Sequence, residues 1–247
     1  MKNIKAIYQG LLKMQKEKSL FKTHFSELKS LIERNEVEKV KEIIDTGINI
    51  NSKDKNSKTL LHFACESNSP KMIEMILTYK PDIYCPDKWQ RTPLTIIGET
   101  KVKEFKADEQ REKEKIKTVM SAMRLIEYGM PFNESDKLGR TALIWCAMND
   151  NELLGSYLLS YPQTDIRIVD IGSLDALLNS FYHSSHKFFK MITHSARNTD
   201  ELNYCIQYTR VALGKDSQEA SELANLRLVT KLEENLEPKT KTKLAKI

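Results

Sequence analysis

The chain has 247 residues, of which 40% are hydrophobic and 30% charged, with eight glycines; this suits a soluble, largely helical protein and excludes a β-rich, turn-dense fold. No stretch approaches the roughly 18 apolar residues of a membrane span, and the four cysteines (Cys65, Cys85, Cys146, Cys205) form no C-x-x-C pair, so free thiols in a reducing compartment are expected. The net charge of +5 is uneven: residues 1–25 carry six lysines against Glu17, the last ten residues carry four lysines and no acid, and the stretch between is left at −4. Basic ends on a mildly acidic body do not make a nucleic-acid-binding face.

In chain order, residues 1–25 are too polar for a secretory signal. Ile4, Ile7, Tyr8, Leu11 and Leu12 instead mark an amphipathic, lysine-rich helix, expected either to cap the end of the fold or to touch an acidic membrane surface weakly. A helix begins near Ser26, and Ile43, Ile44, Gly47 and Asn51 close a partial helix pair. TLLHFA at Thr59–Ala64 then reappears, altered, 33 residues later as TPLTII at Thr92–Ile97, and Asp136, Gly139, Thr141 and Leu143 open a third copy. A period of this length means stacked two-helix units that cannot bury their apolar faces alone.

Asp54, Thr59, Leu61, His62 and Ala64, with Ile76, Leu77 and Asp82 behind them, resemble one ankyrin repeat; Asp87, Thr92, Pro93 and Leu94 resemble the start of the next. The resemblance covers roughly residues 26–167 and implies an all-α ankyrin-repeat solenoid of about four to five helix-turn-helix units. In such a unit Thr caps the helix, Pro fits its first turn, and Leu points into the stack. His62 resembles the family's structural histidine, which implies a hydrogen-bonding rather than catalytic role.

The departures carry expectations of their own. Ser57 and Gln90 stand where the turn glycine is expected, which predicts distorted turns, and Lys80 replaces a C-cap glycine. Ile97 and Cys146 replace the small Ala, which predicts wider helix spacing or local repacking. From Thr92 to Thr141 is 49 residues rather than 33, and the excess falls in a charged insertion at 99–118 with seven basic and six acidic residues. There Glu109 and Lys113 have the i, i+4 order of a solvated helix; either a projecting extension of the helices or a loop is expected. Beyond Arg167 the signature fades into a helix pair, Ile171–Ser180 and Lys187–Ser195, which suits a terminal capping unit. Helices over Thr199–Leu213 and Ser217–Leu236 and a basic, disordered tail at 237–247 complete the chain. The domain organisation is thus an N-terminal helix at 1–25, a repeat domain at 26–197, a helical extension at 198–236 and the tail.

A search for chemistry leaves no catalytic, cofactor or metal assignment. His183 and His186 lack a third ligand at convincing spacing. Gly214-Lys215-Asp216-Ser217 has Thr209 where a phosphate loop needs its first glycine. The resemblance instead implies a recognition surface of turn tips and first-helix faces. By position it comprises Lys55, Asn56, Lys58, Glu66 and Ser67; then Lys88, Trp89, Arg91, Glu99 and Thr100; then Lys137, Leu138, Arg140, Met148 and Asn149. Trp89 beside Arg91 offers contact area and a cation, both enriched in interface hot spots; packing against the neighbouring turn is its alternative use. The expected function is a non-enzymatic, monomeric, cytoplasmic scaffold binding a partner protein. Glu233, Glu234 and Glu237 resemble the glutamate-rich signals of type IV secretion, which adds the reading of an effector exported by an intracellular bacterium onto a host protein. The alternative is an enzyme whose repeats recruit substrate to a site in residues 168–236.

Overall fold

A computed structural model describes residues 25–102, 107–194 and 199–213, and single helical positions at 218, 221 and 225. The expected helices at 1–25 and Ser217–Leu236 and the tail at 237–247 lie wholly or mostly outside these residues. Within them the chain is helix after helix, with no strand: α1 (25–33), α2 (Val37–Asp45), α3 (Leu60–Glu66), α4 (Pro70–Leu77), α5 (Pro93–Gly98), α6 (Asp108–Glu127), α7 (Ala142–Asn149), α8 (Glu152–Leu159), α9 (Ala176–Tyr182), α10 (His186–His194) and α11 (Thr199–Leu213).

Four helix pairs, α3–α4, α5–α6, α7–α8 and α9–α10, follow α1 and α2. First helices stack α3 on α5 on α7 on α9, and second helices stack α2 on α4 on α6 on α8 on α10, while α11 closes the end against α9 and α10. The sequence builds each pair the same way. Thr92 Oγ1 accepts from Thr95 N at 3.3 Å and Thr141 Oγ1 from Ile144 N at 3.3 Å. The second helices are capped by Ser69, which accepts from Met72 N at 3.3 Å, and by Asn151, which accepts from Leu154 N at 3.2 Å. Each such cap contributes about 1 kcal/mol. Two residues after each first-helix cap, Leu61, Leu94, Leu143 and Leu177 are at most 2% exposed, and each buried leucine stabilises the stack by about 2 kcal/mol.

Two expectations are narrowed and one is revised. Of wider spacing or local repacking, the residue after Ile97 shows the second: Ile97 and Cys146 are both fully buried, and Ile97 is followed in α5 by Gly98. A Cβ there would meet the Ala142 carbonyl oxygen at 2.7 Å, so bulk added at one position is offset by removing it at the next. The charged insertion becomes, in its second half, an N-terminal extension of α6, twenty residues long against eight in α4. Glu109 and Lys113 pair on its exposed face at 2.6 Å. It is not detached: Lys115 is buried and donates to both oxygens of Glu152 on α8 at 2.8 Å, and Asn151 Nδ2 donates to Thr118 Oγ1 at 3.0 Å. Finally, Ile171–Ser180 is not one helix. Residues 170–174 form a turn, Asp175 caps α9 by accepting from Leu178 N at 2.9 Å, and the repeat continues one unit further than its signature does.

Candidate protein-binding surface

The first helices α3, α5, α7 and α9 are each preceded by one turn, built four times on an aspartate. Asp87 Oδ1 accepts from Trp89 N and Arg91 N, both at 2.9 Å, while Asp87 N donates to Arg91 O and Gln90 N to Asp87 O. The same bonds recur at Asp54 (from Asn56 and Lys58), at Asp136 (from Leu138 and Arg140) and at Asp170 (from Gly172 and Leu174). The fourth residue of each turn is left-handed: Ser57 at φ 62°, Gln90 at 59°, Gly139 at 75° and Ser173 at 61°. The turns at Ser57 and Gln90 are therefore not distorted. The aspartate's bonds hold a non-glycine residue in a conformation that costs about 1–2 kcal/mol. Lys80, at φ 53°, does the same in place of a C-cap glycine.

The tips are tied to one another. Lys88 N donates to Asn56 O at 2.8 Å, Lys137 N to Trp89 O at 2.8 Å, and Ile171 N to Leu138 O at 2.9 Å. Four turns thus form a ladder whose backbone has little freedom to lose on binding, and preorganisation of this kind favours affinity. Behind the tips His62 Nδ1 accepts from Thr59 N at 3.1 Å and lies 2.8 Å from Thr59 Oγ1. Burial holds its pKa below the ordinary value, against the opposing Asp87 carboxylate, so it serves as the structural group that its position implies.

Immediately before the caps of α3, α5 and α7 stands a cation: Lys58, Arg91, Arg140. Eight residues on, at the end of the same first helix, stand Glu66, Glu99 and Met148. Lys58 pairs with Glu66, and Arg91 NH1 donates to Glu99 Oε2 at 2.6 Å. Arg91 NH2 also reaches Glu66 of the previous unit at 3.1 Å, and NH2 and Nε both reach Asp87 Oδ2, at 2.8 and 2.9 Å. Burial alone would lower the Arg91 pKa, but the bonds to Asp87 and Glu99 hold it above its ordinary value. The Arg91 and Lys58 side chains are only 14% and 13% exposed. They hold the surface together, and their guanidinium and ammonium lie 5.0 and 5.6 Å from the Trp89 ring.

Trp89 itself is 43% exposed. It forms, with Leu138, Arg140, Trp145, Lys137 and Glu99 among others, a groove of about 360 Å³ between the second and third turns. Leu138 at the next tip is 38% exposed. Lys55, Lys88 and Lys137 are exposed at the tips, with Asn56 half-buried; Glu66 is exposed, and Ser67, Thr100 and Met148 are half-buried. Asn149 is half-buried and donates to the Gly98 and Glu99 carbonyls at 3.4 and 3.2 Å, closing the end of α5. Sequence reasoning passed over Trp145, whose Nε1 donates to Asp136 Oδ2 at 3.1 Å. Its signal is its place four residues after Thr141, the column occupied by Phe63 and Ile96 in the two preceding units.

In comparisons with known proteins, residues 28–99 match the family model described as ankyrin repeats in three copies. Over 54 residues the chain is 39% identical to a putative ankyrin repeat protein of Rickettsia bellii (strain RML369-C), covering 22% of this chain and 30% of that protein. Over 63 residues it is 33% identical to serine/threonine-protein kinase 12 of Arabidopsis thaliana, covering 26% of this chain and 14% of the kinase, within the repeat region. The chain thus spans less than a third of the length of either curated relative. Taken with the helix pairs and their turns, these matches show that residues 28–99 carry ankyrin repeats and that the fold is an all-α ankyrin-repeat solenoid.

Proposed function

We propose that this chain is a non-enzymatic scaffold that docks a partner protein through its turn tips and first-helix face, centred on the groove between Trp89 and Trp145. The observation that carries this reading is the concentration of both of the chain's tryptophans in one groove on a hydrogen-bonded ladder. Exposed aromatic area on a rigid frame supports tight protein contact. The test is proximity labelling in a eukaryotic cell to identify the partner, followed by capture with purified chain and its Trp89→Ala/Leu138→Ala variant. Capture should fall at least tenfold; undiminished capture by the folded variant sinks the surface.

The reading of an exported effector acting on a host protein draws on the Glu233, Glu234 and Glu237 segment and on the likeness to a Rickettsia bellii protein. A translocation reporter joined to the chain tests it, with a triple Glu→Ala variant as the control; reporter signal in host cytosol independent of the secretion system would sink it. The enzyme alternative places its site in 168–236. Within the described part of that region Asp170 is engaged in the fourth turn and Asp175 in the α9 cap, and burial raises the Asp175 pKa. That favours the scaffold. Among the described residues no helix is long and apolar enough to cross a membrane.

A further inference from the structure

We infer that the groove at the third turn takes a peptide segment of the partner that carries one carboxylate beside apolar side chains, with the carboxylate on Arg140. The inference rests on the reading of this face as a protein-docking surface and names what it recognises. The repeat itself supplies the argument. The first two cations before a helix cap each meet an acid eight residues later, at the end of the same first helix: Lys58 with Glu66 and Arg91 with Glu99. The third position has the cation, Arg140, but Met148 in place of the acid. The turn aspartate does not substitute, because Asp136 Oδ2 accepts from the Trp145 indole at 3.1 Å, where Asp87 Oδ2 accepts from Arg91.

Arg140 is thus left stacked on the Trp145 ring at 4.7 Å, with its buried Nε unpaired and no carboxylate partner among the described residues. Buried donors are ordinarily paired, and a planar guanidinium presents a fork that fits a carboxylate. The Trp89 ring, Leu138 and Trp145 line the same groove, so apolar side chains flanking the carboxylate have somewhere to go. Charge complementarity limits the ligand to a single negative charge. Glu99 and Asp136 also line the groove and would repel a dianionic phosphate, while Lys137 stands exposed at the rim and steers an acidic segment inward.

Trp89 and Trp145 are the chain's two tryptophans, so intrinsic fluorescence of the full chain reports on this groove. The probes are N-acetylated, C-amidated Leu-Glu-Leu and Leu-Gln-Leu, and N-acetyl-Leu-Leu with a free or an amidated C-terminus. Leu-Glu-Leu should change the emission saturably and bind at least tenfold more tightly than Leu-Gln-Leu. Arg140→Gln and Met148→Glu should each weaken it at least tenfold, the second by supplying the missing acid from within the chain; unchanged circular dichroism and urea midpoint confirm that both fold. Preference for the free over the amidated Leu-Leu terminus would place a C-terminal carboxylate on Arg140; preference confined to the Glu peptide would place a side-chain carboxylate there. No carboxylate preference in either peptide pair, indifference to both substitutions, or displacement by inorganic phosphate at lower concentration than the peptide overturns the inference. With a partner in hand, capture lost in Trp89→Ala but kept in Arg140→Gln and Met148→Glu removes the carboxylate and keeps the surface. Capture kept in Trp89→Ala removes the surface itself.

Discussion

The second and third turns share a backbone and differ in where their charge goes. In each, one aspartate oxygen accepts from the backbone N–H groups two and four residues after it, and an arginine precedes the helix cap. At the second turn the arginine is consumed internally by Asp87, Glu99 and Glu66. At the third the aspartate's other oxygen goes to Trp145 and the acid on the helix is Met148. One repeat template thus yields a structural node in one unit and an open cation in the next, and the side chains nine residues after the aspartate and eight after the arginine decide which.

The sharpest way to break this comparison is to remove the charges one at a time. Asp87→Ala takes a fully buried carboxylate from Arg91 together with two turn bonds, and should cost about 4 kcal/mol, the scale of breaking a buried pair. Arg91→Ala, which strands Asp87, should cost about 3 kcal/mol on the same grounds. Arg140→Ala removes one ring contact and no ion pair, and should cost about 0.5 kcal/mol. Urea unfolding of the full chain measures all three. Similar losses for Arg91→Ala and Arg140→Ala would show that the two turns do not differ as described.

A second test concerns the close approach that lets the two units stack. Gly98→Ala would put a Cβ 2.7 Å from the Ala142 carbonyl and 2.9 Å from its Cα. Both are backbone atoms that cannot rotate away, so a loss of about 2 kcal/mol is expected. The groove between the second and third turns should deform with it, visible as altered tryptophan emission. A loss below about 0.5 kcal/mol would mean that the units separate freely there.

Much of this was legible from the residues. Thr59, Thr92 and Thr141 recur with their leucines because cap and core contact are local needs of every unit, and local needs leave periodic letters. The fourth turn left none: its cap is Asp175 rather than Thr, and its left-handed residue is Ser173 rather than Gly. The aspartate satisfies the turn whatever residue follows, so a missing glycine is not a missing turn. Arg91 read as a free cation at a tip because its partners Glu66 and Glu99 lie 25 residues before and eight after it. Stacking of one unit on the next brings Glu66 to it, whereas Glu99 stands at the eight-residue spacing that also separates Lys58 from Glu66. The pairing of Lys58 with Glu66 was visible as spacing, and with it the gap at Met148, once the first two units are laid over the third.

Acid should act on the second turn before the third, through His62. Burial lowers its pKa, while the Asp87 charge, a hydrogen bond with the Arg91 backbone and the Glu66 charge oppose the shift and the Arg91 charge adds to it. The unfolded chain therefore takes up this proton first as pH falls, and stability declines as pH drops below the ordinary histidine value of about 6.5. The urea midpoint should fall over that range, with a shallower slope in His62→Gln. An unchanged slope would show that His62 titrates alike in both states.

Small effects of opposite sign are expected in the turn backbone. Gln90 sits at φ 59° with its side chain exposed, so Gln90→Gly removes left-handed strain without removing a contact. It also loosens the unfolded chain, which offsets part of the gain, and the net should be a stabilisation of about 0.5 kcal/mol. At the third turn the reverse change, Gly139→Ala, adds the strain and brings a Cβ to 3.0 Å from Asp170 Cα in the fourth turn, so a loss of about 1–2 kcal/mol is expected. Opposite signs at equivalent positions would show that the aspartate tolerates the left-handed residue without making it favourable. Destabilisation by Gln90→Gly would mean that glutamine contributes to the second turn beyond its backbone, and the two turns would then differ in conformation as well as in charge.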